Sequence, residues 1–554
     1  MTLKHVNAVV VGAGAGGGIV AKELAVAGLS VVLLERGKWH HYDDHNDDEL
    51  ISQRTTALGN AYGPDDQRYR RVILNPDGTR RIVLPSEGGY NNNAGCVGGG
   101  TLSYGAMAWR FMPQDFKLRS TYANLVRDLK NHTLEDWPIT YEDLEPFYEK
   151  AEWEIGVSGD DAQNPFAPPR KKPHPMPPFP YNREGKAVYD AARRLGLHPF
   201  PIPMLRNSIP YDGRPKCIHM RSCVGFACPV NAKNGTQNTV IPRALATGNC
   251  ELRTECKAAQ IVFDDRGRAR GVRYFDQDDR AQVQAADIVV LSCSATETAR
   301  LLLNSPSRLF PNGAGNNNDW VGRNLQGHAY PGAGGLVEQE VWEEAGPGAC
   351  VALCDFNHGN PGLIGGAMLA NEFIRLPVLF TGVRPPGEAR WGKAHKDFQR
   401  KYYKRCIRVM GPVQEIPNFE ARVTVDPSVT DHWGIPVAAL SGQRHPADIP
   451  TCEFIGDKAQ KIVKECGAFK TWTTIPRGGL SGGQHQAGTC RMGNDPNTSV
   501  TNRHGQVHQV DNLFIADGSL NVTNGGFNPA LTIMALAYWV SAYIVREWKG
   551  SKFK

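Results

Sequence analysis

Residues 12–17 read Gly-Ala-Gly-Ala-Gly-Gly, and this hexapeptide constrains the chain more than any other feature. It fits the spacing G-x-G-x-x-G. An apolar run, Val6-Asn-Ala-Val-Val-Val11, precedes it. A helix-forming stretch from Gly17 to Ala27 follows, and then a second apolar run from Ser30 to Leu34. Strand, turn, helix, strand is the opening of a nucleotide-binding βαβ unit. Gly12 permits the tight turn, Gly14 lets the backbone approach a pyrophosphate, and Gly17 lets the helix pack close on the strand. The helix N-terminus, beginning beside Ala15, offers free N–H groups and a partial positive charge to phosphate. Glu35 ends the second strand at the spacing where an acid accepts hydrogen bonds from a ribose hydroxyl, and Arg36 adjoins it. The motif alone does not separate FAD from NAD.

The chain is 554 residues long, more than one hydrophobic core usually holds. Glycine, at 59 residues, is over-represented and clusters near both ends. The stretch from about 330 to 480 has scattered aromatics and no such cluster. A discontinuous nucleotide domain interrupted by other material is therefore expected. Residues 161–183 carry eight prolines, from Pro165 to Pro180, and read as an extended connection. The expected division is 1–160 as the first part of the nucleotide domain and 161–235 as a proline-rich connection with a cysteine-containing segment. Residues 236–330 form its second part, 331–483 a substrate domain, and 484–554 its last part. Internal repeats are not evident. Lys plus Arg number 62 against 56 Asp plus Glu, a formal charge of +6 without a long basic run, so nucleic acid is a poor partner. No export signal is read at the N-terminus, and a cytoplasmic location is expected. The apolar stretch Pro529 to Trp548 carries Thr532, Ser541 and Arg546 and reads as a buried helix rather than a membrane span.

A second glycine cluster, Gly95-Cys-Val-Gly-Gly-Gly-Thr101, precedes Leu-Ser-Tyr-Gly-Ala-Met-Ala-Trp-Arg110. Three consecutive glycines, Gly98 to Gly100, disfavour any regular element and suit a backbone laid against a flat ligand or a diphosphate. With the tail segments His485-Gln-Ala-Gly-Thr-Cys-Arg-Met-Gly493, Asn512-Leu-Phe-Ile-Ala-Asp-Gly-Ser519 and Gly526-Phe-Asn528-Pro-Ala-Leu, the sequence resembles the glucose–methanol–choline family of flavoprotein oxidoreductases over essentially its whole length. The resemblance implies an α/β fold. It pairs a discontinuous Rossmann-like FAD-binding domain with an α+β substrate domain built on a mainly antiparallel sheet. It places FAD against Gly12, Gly14, Ala15, Gly17, Glu35, Arg36, Gly98, Gly99, Thr101, Asp517, Gly518, Asn528 and Pro529. Some sugar-oxidising relatives attach FAD through a His in the second cluster; Ser103 stands at the matching position, so non-covalent FAD is expected.

Carried over from the family, His485 is the base and Asn528 its partner at the flavin N5 face. Oxidising an alcohol requires removal of the hydroxyl proton as hydride leaves carbon, and a neutral imidazole can accept that proton near neutral pH. Asn528 can hydrogen-bond the same oxygen but cannot be a base. The implied activity is oxidation of an alcohol group of a sugar, glycoside or polyol. A dehydrogenase similar to the FAD-dependent glucose, gluconate and polyol enzymes is one form. Because the His–Asn pair resembles that of pyranose oxidases, an oxygen-using oxidase is a second, and a non-redox flavin lyase or isomerase a third.

Cys217, Cys223 and Cys228-Pro229 leave three readings open. Cysteine thiolates closing on a Cys-Pro step suit an iron–sulfur cluster. The surrounding segments resemble a dehydrogenase branch that holds a three-iron cluster there, although the gaps differ. A zinc site with His219 and plain buried thiols are the alternatives. A cluster would make a small subunit or a cytochrome a plausible electron acceptor, and co-export with such a subunit would place the protein in the periplasm.

Overall fold

The computed structural model describes residues 2–45, 48–52, 62–90, 94–372, 374–481 and 483–553. The strand Thr2–Val11 runs parallel between Val31–Leu34 and Ala281–Leu291. Its residues Ala8 to Val11 are apolar without alternation, and all four are buried, as a strand covered on both faces requires. Cys250–Arg253 extends the sheet beyond Val31–Leu34, while Leu513–Ile515 and the antiparallel strands Ala269–Phe275 and Lys257–Phe263 extend it beyond Ala281–Leu291. This one sheet thus gathers chain from 2–34, 250–291 and 513–515, the discontinuity that the two glycine-rich ends imply.

The turn after the first strand depends on absent side chains. Gly12 has φ +98°, and a Cβ there would lie 2.3 Å from the Ser292 carbonyl oxygen. A Cβ on Gly17 would lie 1.8 Å from the Gly12 carbonyl oxygen. The helix Gly17–Val26 can therefore begin directly on the strand end. Its other neighbours are the helices Ala530–Lys549 and Val240–Ala246. Ala530–Lys549 also packs on Tyr141–Ala151, which explains its apolar content. Among the described residues no helix is long and apolar enough to cross a membrane.

A second sheet of six strands is antiparallel throughout: Lys470–Thr474, Gly332–Leu336, Cys406–Met410, Leu369–Asn371, Val351–Leu353 and Phe200–Pro201. The helices Asp448–Glu465 and Arg183–Arg194 cover one face and bury an aliphatic core against it. Two features differ from the division expected above. Residues 161–235 are more than a connection, since they supply a covering helix and an edge strand. The hairpin Arg422–Thr430 and Pro436–Ser441, within 331–483, joins the hairpin Arg71–Leu74 and Arg80–Val83 in a separate four-stranded sheet, through the parallel pairing of Pro436–Ser441 with Arg71–Leu74. That parallel pairing, Ala439 with Val72, joins residues 367 positions apart and leaves no local signal.

Because the clash at Gly17 is with backbone, relief requires the helix to move. Gly17→Ala is expected to destabilise the fold by about 1–3 kcal/mol or more. Urea unfolding checks this, and an unchanged midpoint would contradict the close packing.

Candidate active site

A cavity of about 630 Å³ runs from the carboxyl ends of the parallel strands to the uncovered side of the antiparallel sheet. Carboxyl ends of parallel strands are where α/β sheets bind ligands. Gly12, Gly14, Ala15, Glu35 and Arg36 line one end. A Cβ on Gly14 would meet no atom of the described residues within 4 Å, so it would project into space kept open there. The second glycine cluster closes over this point. Gly98 donates its N–H to the Ala13 carbonyl at 2.8 Å, and a Cβ on Gly99 would come within 3.1 Å of Gly14 Cα. Gly99 and Thr101 line the cavity.

Three of the expected cofactor residues stand outside the lining. Gly17 packs on Gly12. Gly98, at φ +90°, shapes the turn beneath. Ser103 is fully buried, and its hydroxyl finds no hydrogen-bond partner among the described residues.

Glu35 faces the cavity, yet its carboxylate already accepts the N–H groups of Ala13 at 2.9 Å and Gly37 at 3.0 Å. Burial pushes its pKa up against the pull of those bonds and of Arg36. Deeper along this wall lies a charge cluster the sequence did not reveal. Glu297 pairs with Arg71 at 3.0 Å and Arg300 at 3.3 Å, with Lys257 at 3.6 Å and Arg36 at 3.7 Å. Burial opposes its charge, but these four cations outweigh it and hold the carboxyl well below the usual range. Burial, aided by Arg300, lowers Lys257 to about 8. Asp517 and Gly518 also line the cavity. The Asp517 carboxylate accepts Ser519 N–H at 2.8 Å and the Thr298 hydroxyl at 2.6 Å, which fixes the turn after strand Leu513–Ile515.

At the far end stand His485, Asn528, His328 and Tyr330. An antiparallel bridge sets the first encounter. Gln326 and Ala487 exchange both backbone hydrogen bonds at 3.0 Å. Two residues along each strand, that register brings His328 opposite His485. Their Nδ1 atoms lie 2.9 Å apart. His328 Nε2 lies 2.8 Å from the Gly525 carbonyl oxygen. Burial lowers the His328 pKa, which favours the neutral ring. Tyr330 Oη lies 3.2 Å from His485 Nδ1 and 3.3 Å from Asn528 Nδ2. Asn528 Nδ2 lies 3.4 Å from His485 Nε2. Asn524 Nδ2 donates to the His485 carbonyl at 2.8 Å, tying the 524–528 loop to the histidine. Pro529 then leads into Ala530–Lys549, whose N-terminal residues Ala530 and Ile533 line the cavity, so the positive end of that helix dipole faces it.

The sheet supplies the remaining wall. The register Asn371↔Val409 sets Glu372 beside Arg408, and the two side chains form an ion pair at the cavity surface. Met410, two residues further along the strand, lines the same wall. Glu372 and Arg408 are 36 positions apart, and only sheet register reveals the pair. His328 and Tyr330 carry a weak signal, since residues two apart in a strand share a face.

Cys217, Cys223 and Cys228 are free thiols, each partly buried. Cys217 Sγ accepts hydrogen bonds from Arg206 Nη2 at 2.9 Å and from the His219 N–H at 3.3 Å. Among the described residues no group of three or more His, Cys, Asp or Glu side chains is arranged to hold a metal ion. The three cysteines are not brought together as a cluster site, with or without His219.

A parallel sheet with a glycine turn at its carboxyl ends, opening on a two-ended cavity, marks a nucleotide-binding enzyme fold, and comparison with known proteins narrows the class. Family models for GMC oxidoreductases match residues 130–330 and 417–537. The 2-methyl-1,2-propanediol dehydrogenase of Mycolicibacterium austroafricanum is 31% identical over 98% of this chain and 95% of its own. The fructose dehydrogenase large subunit of Gluconobacter japonicus is 25% identical over 98% of both. The 6'''-hydroxyparomomycin C oxidase of Streptomyces lividus is 29% identical over 97% of this chain and 90% of its own. Among solved structures, pyridoxine 4-oxidase from Mesorbium loti aligns with a TM-score of 0.63 at 15% identity, covering 97% of this chain and 98% of the other, a likeness of fold. The chain belongs to the GMC oxidoreductase family, whose members bind FAD.

The residues fit that cofactor. The open space at Gly14 leaves room for a diphosphate against backbone. At the other end, Asn528 Oδ1 is buried without a hydrogen-bond partner among the described residues, an acceptor kept for a bound group. Gly14→Val should fold and lose flavin, because its side chain enters the cavity rather than the protein. Flavin absorbance per polypeptide and the circular dichroism spectrum check this. A folded, fully flavin-loaded Gly14→Val protein would contradict the placement.

Proposed function

We propose that the protein oxidises an alcohol carbon of a neutral sugar, glycoside or polyol to a carbonyl, with His485 as general base. The supporting observation is the convergence of His485 and Asn528 on one end of a cavity whose opposite end is built for a dinucleotide. When bound, FAD supplies the acceptor for the hydride that leaves the substrate carbon. His485 Nε2 takes the hydroxyl proton. Asn528 Nδ2 donates to the same oxygen and holds it beside the imidazole. The Glu372–Arg408 pair offers an acceptor and donors of nearly cancelling charge, which suits vicinal hydroxyls away from the reacting carbon. Ile374, Leu379 and Val383 line the cavity as well and give this part of it an apolar wall.

The dehydrogenase reading is favoured by the propanediol dehydrogenase and the fructose dehydrogenase large subunit among the relatives. One relative is named as a large subunit, which supports a partner protein as electron acceptor. The paromomycin-type oxidase favours a second reading, in which oxygen takes the electrons. Turnover with an artificial acceptor under argon, against hydrogen peroxide formed in air, separates the two.

Positioned base catalysis is worth about 10²–10⁴-fold, so His485→Ala should slow single-turnover flavin bleaching by that factor, roughly 3–5 kcal/mol. Asn528→Ala, which leaves the base, should lose less. The rate should fall as pH drops and the base becomes protonated. A His485→Ala protein that bleaches at the wild-type rate would place the base elsewhere. Glu372→Gln should raise KM for a polyol about tenfold with kcat largely kept, as expected when binding common to ground and transition states is lost. Unchanged KM across several sugars and polyols would remove the pair from the substrate site.

A further inference from the structure

We infer that His328 is the positioning residue that sets the tautomer of His485 and so directs its basic nitrogen to the substrate. The inference rests on the reading of His485 as base and extends it to a residue outside the family motifs.

The contacts of the two rings among the described residues fit one assignment of protons. The Gly525 carbonyl can only accept, so His328 Nε2, 2.8 Å away, carries a hydrogen. A neutral imidazole has one N–H, so His328 Nδ1 is bare and accepts. Its neighbour at 2.9 Å is His485 Nδ1, which must then donate. With its hydrogen on Nδ1, neutral His485 presents a bare Nε2 on the side of Asn528. Tyr330 Oη, 3.2 Å from the same Nδ1, can share that hydrogen without reversing its direction.

The surroundings keep His328 in this role. His328 is 5% exposed, and burial favours its neutral form. The charged groups near it are Glu415 and Arg444, which pair with each other at 2.6 Å. Glu415 also accepts the Gly327 N–H at 3.0 Å and the Ser481 hydroxyl, so it holds the backbone beside His328. After His485 Nε2 has taken the substrate proton, the imidazolium still donates from Nδ1 to His328. That bond is stronger to the charged ring, so His328 favours the protonated product of the step. The proton goes no further along this path, because the next group is a carbonyl.

The test uses the flavin-loaded full chain and single-turnover reduction across pH. His328→Phe keeps a planar ring and removes the acceptor. Flavin content should hold, while the limiting reduction rate falls about 10- to 100-fold. The acid limb of the profile should move to lower pH by about one unit, because the imidazolium loses a partner. A merely structural role would not move that limb. If His328→Phe does not retain flavin, His328→Asn and His328→Gln decide. Asn sets its oxygen where Nδ1 stands and should keep most of the rate; Gln reaches the Nε2 position instead and should not. An unchanged rate and acid limb in His328→Phe, or equal rates in the Asn and Gln variants, would overturn the inference. His485→Ala is run beside them: if it too is unimpaired, the base assignment itself fails, whereas a slow His485→Ala with an unimpaired His328→Phe removes only the role of His328.

Discussion

The backbone contact between Gly12, Gly17 and Ser292 is the constraint on which the rest of the structure depends. Where a first side-chain carbon would stand, the Gly12 turn has a carbonyl oxygen at 2.3 Å and the Gly17 position has one at 1.8 Å. The first strand, its helix and the end of the neighbouring parallel strand Ala281–Leu291 can then meet without intervening side chains. The meeting point leaves Gly14 at the edge of a cavity rather than inside a core. The second glycine cluster closes on that point from the opposite side, and every other part of the site is placed relative to this corner.

At the other end the site is fixed by hydrogen bonds whose direction is forced. A carbonyl at Gly525 begins the series, His328 and His485 carry it, and the cavity receives its outcome as a bare imidazole nitrogen. Three separate stretches, 326–330, 483–487 and 524–529, supply the groups. The Gln326–Ala487 bridge and the Asn524 side chain join those stretches directly. Geometry at the base is thus set by backbone register as much as by side-chain packing.

Much of this was legible in the sequence where chemistry is written locally. The glycine spacing marks the nucleotide corner because each glycine answers a backbone need at a fixed offset. His485 and Asn528 sit in segments whose order resembles a known family. The antiparallel second sheet followed from that resemblance and is present. What could not be read depends on contacts between distant strands. The pairing of Arg71–Leu74 with Pro436–Ser441, the Glu372–Arg408 pair and the four cations around Glu297 come from register and packing alone. Cys217, Cys223 and Cys228 are the opposite case: a suggestive local spacing, with no metal-holding group of three or more His, Cys, Asp or Glu side chains among the described residues.

Neutron diffraction from a deuterium-exchanged crystal of the oxidised, flavin-loaded protein near neutral pH tests the central claim most directly, since it locates the protons on which the base assignment rests. The expected map has deuterium on Nε2 of His328 and on Nδ1 of His485, with none on Nε2 of His485. Deuterium on His485 Nε2, with Nδ1 bare, would contradict the account, because the nitrogen beside Asn528 would then be a donor and unable to take the substrate's proton.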